Sequence, residues 1–187
     1  MPLPADGRLV LLGVTGSVAA FRAVELASAL TQEGFKVVTI LTDWARRFVQ
    51  PLSFAAVTLG PVLSDEVGPD PSRGEDHISM VRAARLLAVA PASANTIAKL
   101  AHGLADNLLS VTALAFRGPV LIAPAMNVRM YESAPVQENI AILKRRGCRF
   151  VGPAEGRLAC GEVGLGRLAP VPEILAAVRE LMIEEKG

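Results

Sequence analysis

The chain has 187 residues, 51% of them hydrophobic but only 4% aromatic, and its 19 basic and 18 acidic side chains leave a net charge of +1. That balance gives no electrostatic reason to expect nucleic acid or an anionic membrane as a partner, and no apolar run approaches the roughly 20 residues of a membrane span. The length fits one domain, 1–187, large enough to bury a real core. The amino terminus lacks the basic, apolar and cleavage regions of a signal peptide, so a cytoplasmic location is expected. Two cysteines and two histidines, widely spaced, are too few for a structural zinc site, and no metal is expected.

Leu9 to Val14 is a continuous apolar run without alternation, the pattern of a strand buried on both faces. It passes through Gly13 and Gly16 into a segment where Phe21, Val24, Ala27 and Leu30 recur at near-helical spacing, stopped at Glu33-Gly34. Val37 to Leu41 reads as a second buried strand, leaving through Thr42-Asp43-Trp44 into a short helix that Pro51 is expected to end. Gly60 to Asp76 is loop-like, with Pro61-Val62-Leu63 extended. A helix then runs from His77 to Ala84, with Asp76 as its N-cap.

Leu86 to Ala90 is a third strand, and Pro91-Ala92-Ser93-Ala94-Asn95-Thr96 leads from it into another helix. Pro119 to Ala123 repeats the pattern, with Pro124-Ala125-Met126-Asn127 as its exit and a helix from Val136 to Arg146 stopped by Gly147. A short strand at 149–151 is followed by a glycine-rich stretch, 152–166, expected to be a mobile loop that closes over a ligand. A last helix starts at Pro172-Glu173 and carries Ile174, Leu175, Val178, Leu181 and Met182 on one face. Strands separated by helices throughout define an α/β fold: a doubly wound, mostly parallel, Rossmann-like sheet with helices on both faces.

In such a sheet, ligands bind at the carboxyl ends of the strands. Gly16 and Ser17 can bring backbone N–H groups and a hydroxyl to a phosphate at the positive end of a helix. The same residues also suit a simple close-packed turn. The dinucleotide pattern Gly-x-Gly-x-x-Gly is absent and no acid closes the second strand, so a mononucleotide such as FMN suits the loop better than NAD. Thr42, Ser93, Asn95, Thr96 and Asn127 come from other strand exits onto the same rim. Each alone is an ordinary helix cap.

His77 is either a packed or surface histidine or a base and donor at the mouth of the site. His102, beside Gly103, is left outside it. Cys148 suits a small apolar filler, whereas Cys160, flanked by loop glycines, has little core to fill and is placed to donate a proton or act as a nucleophile. Asn127 can hold a carboxylate with its NH2 while its carbonyl accepts another bond. Met126 and Met130 suit packing, and Arg167 is either solvated or the partner of an anionic group.

Gly16-Ser17-Val18-Ala19-Ala20, Phe48-Val49-x-Pro51-Leu52-Ser53-Phe54, His77-Ile78, Pro91-Ala92-Ser93-Ala94-Asn95-Thr96, Pro124-Ala125-Met126-Asn127-x-x-Met130 and Ala159-Cys160-Gly161-Glu162 stand in one order. That order resembles the phosphopantothenoylcysteine decarboxylases, within the homo-oligomeric flavin-containing cysteine decarboxylases. The likeness runs from about Leu9 to Ala169. It implies FMN held by Gly16, Ser17, Val18, Thr42, Asp43, Trp44, Ser93, Ala94, Asn95, Thr96 and Ala125, His77 and Cys160 as catalytic residues, and Asn127 and Met130 at the substrate.

The implied reaction oxidises the cysteine thiol of 4′-phosphopantothenoylcysteine to a thioaldehyde, so that carbon dioxide leaves from the adjacent carbon. The enethiol is then reduced to 4′-phosphopantetheine, with Cys160 as proton donor. The resemblance further implies a homotrimer or an assembly of trimers, and a separate phosphopantothenate–cysteine ligase, because the chain stops one helix after the resemblance. Ser79 departs from the pattern, standing where many relatives carry an acid. Peptidyl C-terminal cysteine decarboxylases and regulatory flavoproteins share parts of the pattern and are the alternatives.

Overall fold

Strand β1 (Leu9–Val14) is buried along its whole length because helices cover both sides of it. The computed structural model describes residues 8–65, 77–158 and 161–184. Around β1 lie β2 (Lys36–Leu41), β3 (Val62–Leu63), β4 (Leu86–Ala92), β5 (Val120–Pro124) and β6 (Arg149–Phe150). They form one sheet in the order β3-β2-β1-β4-β5-β6, and every pairing is parallel. The doubly wound parallel sheet read from the apolar runs is the fold observed.

The strand pleat sorts the core into two layers. Val10, Leu12 and Val14 face α1 (Ala20–Gln32), α3 (Pro51–Thr58) and α9 (Val171–Glu184), packing with Leu26, Leu30, Phe54, Ile174 and Val178. Leu9 and Leu11 face the other way, toward α4 (His77–Ala83), α5 (Ala94–His102), α6 (Leu108–Ala115) and α8 (Ala134–Arg145), through Met80, Ile97, Leu109 and Ile140. Alternate residues of one strand therefore serve opposite cores, and each fully buried leucine contributes about 1.5–3 kcal/mol by leaving water. No helix among the described residues is long and apolar enough to cross a membrane. Nor do the described residues hold a group of three or more His, Cys, Asp or Glu that could bind a metal.

Three local expectations change. The short helix after β2 is α2 (Asp43–Arg46), and Pro51 opens α3 instead of ending α2. At a first helical position its missing N–H forfeits no bond. The glycine-rich stretch is not simply a loop: β7 (Ala154–Arg157) and β8 (Val163–Arg167) pair antiparallel as a separate ribbon. Helix α6 went unread because its hydrophobic residues lack an amphipathic pattern; what starts it is a capping box between Asn107 and Ser110. The Asp76 cap lies outside the described residues.

Candidate active site

The chain runs from β1 outward to β2 and β3, then returns to place β4 on the other side of β1. The connections leaving β1 and β4 diverge there, opening a cleft at the carboxyl edge. Buried Thr15 ties its two walls together, its hydroxyl donating to the Pro91 carbonyl at 2.7 Å and accepting from the Ser93 N–H at 2.8 Å. Sequence inspection passed over Thr15, and a hydroxyl at the end of an otherwise apolar strand was its only signal. Thr15→Val keeps the shape but leaves the Ser93 N–H unpaired, and is expected to destabilise the protein by about 1–3 kcal/mol. An unchanged urea midpoint would refute that bridge.

Two adjoining cavities occupy the cleft, of about 580 Å³ and about 550 Å³. Both fall within the range of small-molecule sites. Gly16, Ser93, Ala94 and Met130 line both; Ser17, Val18, Ala125 and Asn127 line the first, and Thr42, Asp43, Trp44, Asn95 and Thr96 the second. The fold thus brings together every residue for which cofactor or substrate contact was expected. His77 opens α4, but its side chain is not described, and Cys160 lies outside the described residues.

The polar residues at the strand exits are caps as well. Thr42 accepts from the Ala45 N–H at 3.3 Å, Ser93 from the Thr96 N–H at 3.4 Å, and Asn127 from the Arg129 N–H at 2.8 Å, where it caps α7 (Val128–Glu132). The last bond orients the amide. With its carbonyl oxygen engaged by the helix, the Asn127 NH2 points to the ribbon, donating to the Glu162 carboxylate at 2.9 Å. Helix α1 differs from these, since its N-cap is Ala19, which has no side chain to cap with. The N–H groups of Ala19, Ala20 and Arg22 are taken by the Ser17 hydroxyl and by the Ser17 and Ala19 carbonyls, so what the first cavity meets is the positive end of the helix together with Ser17, Val18 and Phe21, a setting suited to an anion.

Charge separates the cavities. Arg22, Arg157 and Arg167 border the first, and none has an ion-pair partner among the described residues. Asp43, Asp65 and Asp106 border the second, where the Lys99 ammonium lies 2.8 Å from Asp106 and its hydrogen bond holds that carboxyl below its usual range. Arg157 was not singled out in the sequence, because only the ribbon and α1 facing one another make it and Arg22 neighbours of one space. Away from the cleft, burial pushes the Cys148 thiol up, in keeping with a filler. His102 meets Asn139 at 2.9 Å.

A parallel sheet in this order, with a helix start and an apolar-walled cleft at its switch point, defines a doubly wound α/β protein with its ligand site at the carboxyl edge. The chain belongs to the flavoprotein family, whose model matches residues 4–183. It is 42% identical over 173 residues to the probable phosphopantothenoylcysteine decarboxylase of Streptococcus mutans, covering 91% of this chain and 97% of that one. The coenzyme A biosynthesis bifunctional protein CoaBC of Bacillus subtilis is 44% identical over 180 residues, 96% of this chain but only 44% of its own length. Among solved structures, a PPC decarboxylase cysteine-to-serine variant complexed with pantothenoylaminoethenethiol has a TM-score of 0.85 at 32% identity, over 94% of this chain and 98% of that one. The FMN-binding protein AtHal3 has a TM-score of 0.82 at 33% identity, over 94% and 96%.

Proposed function

We propose that the chain is a phosphopantothenoylcysteine decarboxylase of coenzyme A biosynthesis, converting 4′-phosphopantothenoylcysteine to 4′-phosphopantetheine with FMN. The observation that carries this reading is the convergence of Gly16–Val18, Thr42–Trp44, Ser93–Thr96, Ala125, Asn127 and Met130 on one cleft. The site fits FMN: the positive end of α1 and the Ser17 hydroxyl suit a phosphate, and Val18, Ala94, Ala125 and Met126 offer apolar walls for a ring. Thr42–Trp44 and Ser93–Thr96 would complete its binding. FMN bound there supplies reversible two-electron storage.

The chain's own residues orient the substrate and move protons. The Asn127 NH2 would hold the substrate carboxylate, with Met130 beside it, and His77 would serve as base or donor. Arg22, Arg157 and Arg167 favour a phosphorylated substrate over a plain peptide, since they border the cavity that Asn127 also lines. Cys160 would protonate the enethiol. Cys160→Ser is then expected to bind flavin and release carbon dioxide while accumulating the enethiol, detected by mass. A normal yield of 4′-phosphopantetheine would refute the role.

Phe21 is 60% and Trp44 61% exposed at the rim of the cleft, with Leu52 exposed nearby in sequence. Apolar surface of this kind supports further copies of the chain covering the site, as in a trimer or an assembly of trimers. The deciding experiment for the activity is anaerobic incubation of flavin-loaded protein with 4′-phosphopantothenoylcysteine, followed by mass. Loss of carbon dioxide alone supports the assignment, and an unchanged substrate mass with flavin bound overturns it.

A further inference from the structure

Asn127 already holds a carboxylate, and it belongs to this chain. One oxygen of Glu162 accepts from the Asn127 NH2 at 2.9 Å, and the other lies 3.4 Å from the Arg129 guanidinium. The backbone of the ribbon puts Glu162 there. The Met126 N–H donates to the Gly166 carbonyl at 2.9 Å. A Cβ on Gly166 would come within 2.3 Å of the Met126 carbonyl oxygen, and one on Gly164 within 3.0 Å of a Val128 methyl. Strand β8 therefore lies against residues 126–128 at a separation that requires glycine at 166 and leaves little room at 164.

We propose that Glu162 is a stand-in for the substrate carboxylate, occupying the Asn127 amide until a carboxylate-bearing ligand displaces it toward Arg129. The inference rests on the reading that Asn127 receives that group. Two carboxylates cannot share one amide without mutual repulsion, so an incoming one must expel the other. The Glu162 side chain is 39% exposed, which lets water take over its hydrogen bonds when it leaves. Arg129, 84% exposed, offers a second berth of little binding strength. Once the substrate carboxyl has departed as carbon dioxide, nothing competes for the amide and Glu162 returns. The product, lacking the carboxylate, meets no such competitor.

A residue that merely braces the ribbon would weaken every ligand when removed, whereas a stand-in weakens only ligands that carry the competing group. The test uses flavin-loaded wild type, Glu162→Ala and Glu162→Gln. Calorimetric Kd values are measured for 4′-phosphopantothenoylserine, which keeps the carboxylate but has no thiol to oxidise, and for 4′-phosphopantetheine, which has no carboxylate. Glu162→Ala is expected to bind the serine analogue about threefold to tenfold more tightly, because the competing state no longer lowers apparent affinity.

Binding of 4′-phosphopantetheine should stay as in wild type. Glu162→Gln, whose neutral amide accepts more weakly, should fall between. Unchanged or weaker binding of the serine analogue, or a parallel change for both ligands, overturns the proposal. If Glu162→Ala fails to fold, the isosteric Glu162→Gln decides alone by the same selective gain. Wild-type turnover of 4′-phosphopantothenoylcysteine is measured alongside. Its absence overturns the decarboxylase reading and the stand-in with it, whereas turnover without a selective gain overturns the stand-in only.

Discussion

Gly16→Ala is expected to strip the protein of its flavin. A Cβ on Gly16 would lie 2.5 Å from the Cβ of Trp44 and 3.4 Å from its Cγ. The clash is with the root of a side chain, whose position is set by the backbone leaving β2. Relief therefore requires moving either the β1–α1 turn or the start of α2, and both line the cleft. Overpacking of this kind destabilises by about 1–3 kcal/mol. Its greater effect is on binding, because the start of α1 and Ser17 shift at the wall of the cleft. Colourless purified protein, with a lowered urea midpoint that added flavin does not restore, is the expected result. A yellow variant of unchanged stability would show that the contact yields and that Gly16 is dispensable.

Asn127→Asp separates capping from recognition. An aspartate oxygen can still accept from the Arg129 N–H, so α7 keeps its cap and the fold should hold. What disappears is the NH2. In its place a carboxylate oxygen faces Glu162, replacing a 2.9 Å hydrogen bond with like-charge repulsion, and it would face the substrate carboxylate in the same way. A recognition group turned into a repulsive one is expected to lower kcat/KM for 4′-phosphopantothenoylcysteine by about a hundredfold or more. Flavin content and thermal midpoint should stay near wild type. Near-normal turnover would clear Asn127, and loss of flavin would make its role structural.

Much of the fold was legible because its elements are dictated locally. Leu9–Val14, Leu86–Ala90 and Pro119–Ala123 are apolar without alternation, and only a sheet covered on both faces can bury such runs. The cleft residues were legible too, since a parallel sheet sends every strand exit to one edge: Ser17, Thr42, Ser93 and Asn127 had to share it. Pro51 shows the limit of local rules, because proline ends one helix as readily as it begins the next. The choice fell to Phe54, which α3 buries in the core.

The sequence by itself determined the doubly wound sheet, the rim on which the site lies and the donor character of Asn127, because apolar runs, turn glycines and side-chain chemistry act over a few residues. Only the tertiary structure decided that Ala154–Arg157 and Val163–Arg167 pair as a ribbon, that Arg22 faces the same space as Arg157 and Arg167, and that Glu162 meets Asn127. Those pairings join residues far apart in the chain. They depend on how closely two backbones approach, and at Gly166 that distance is set by the absence of a side chain.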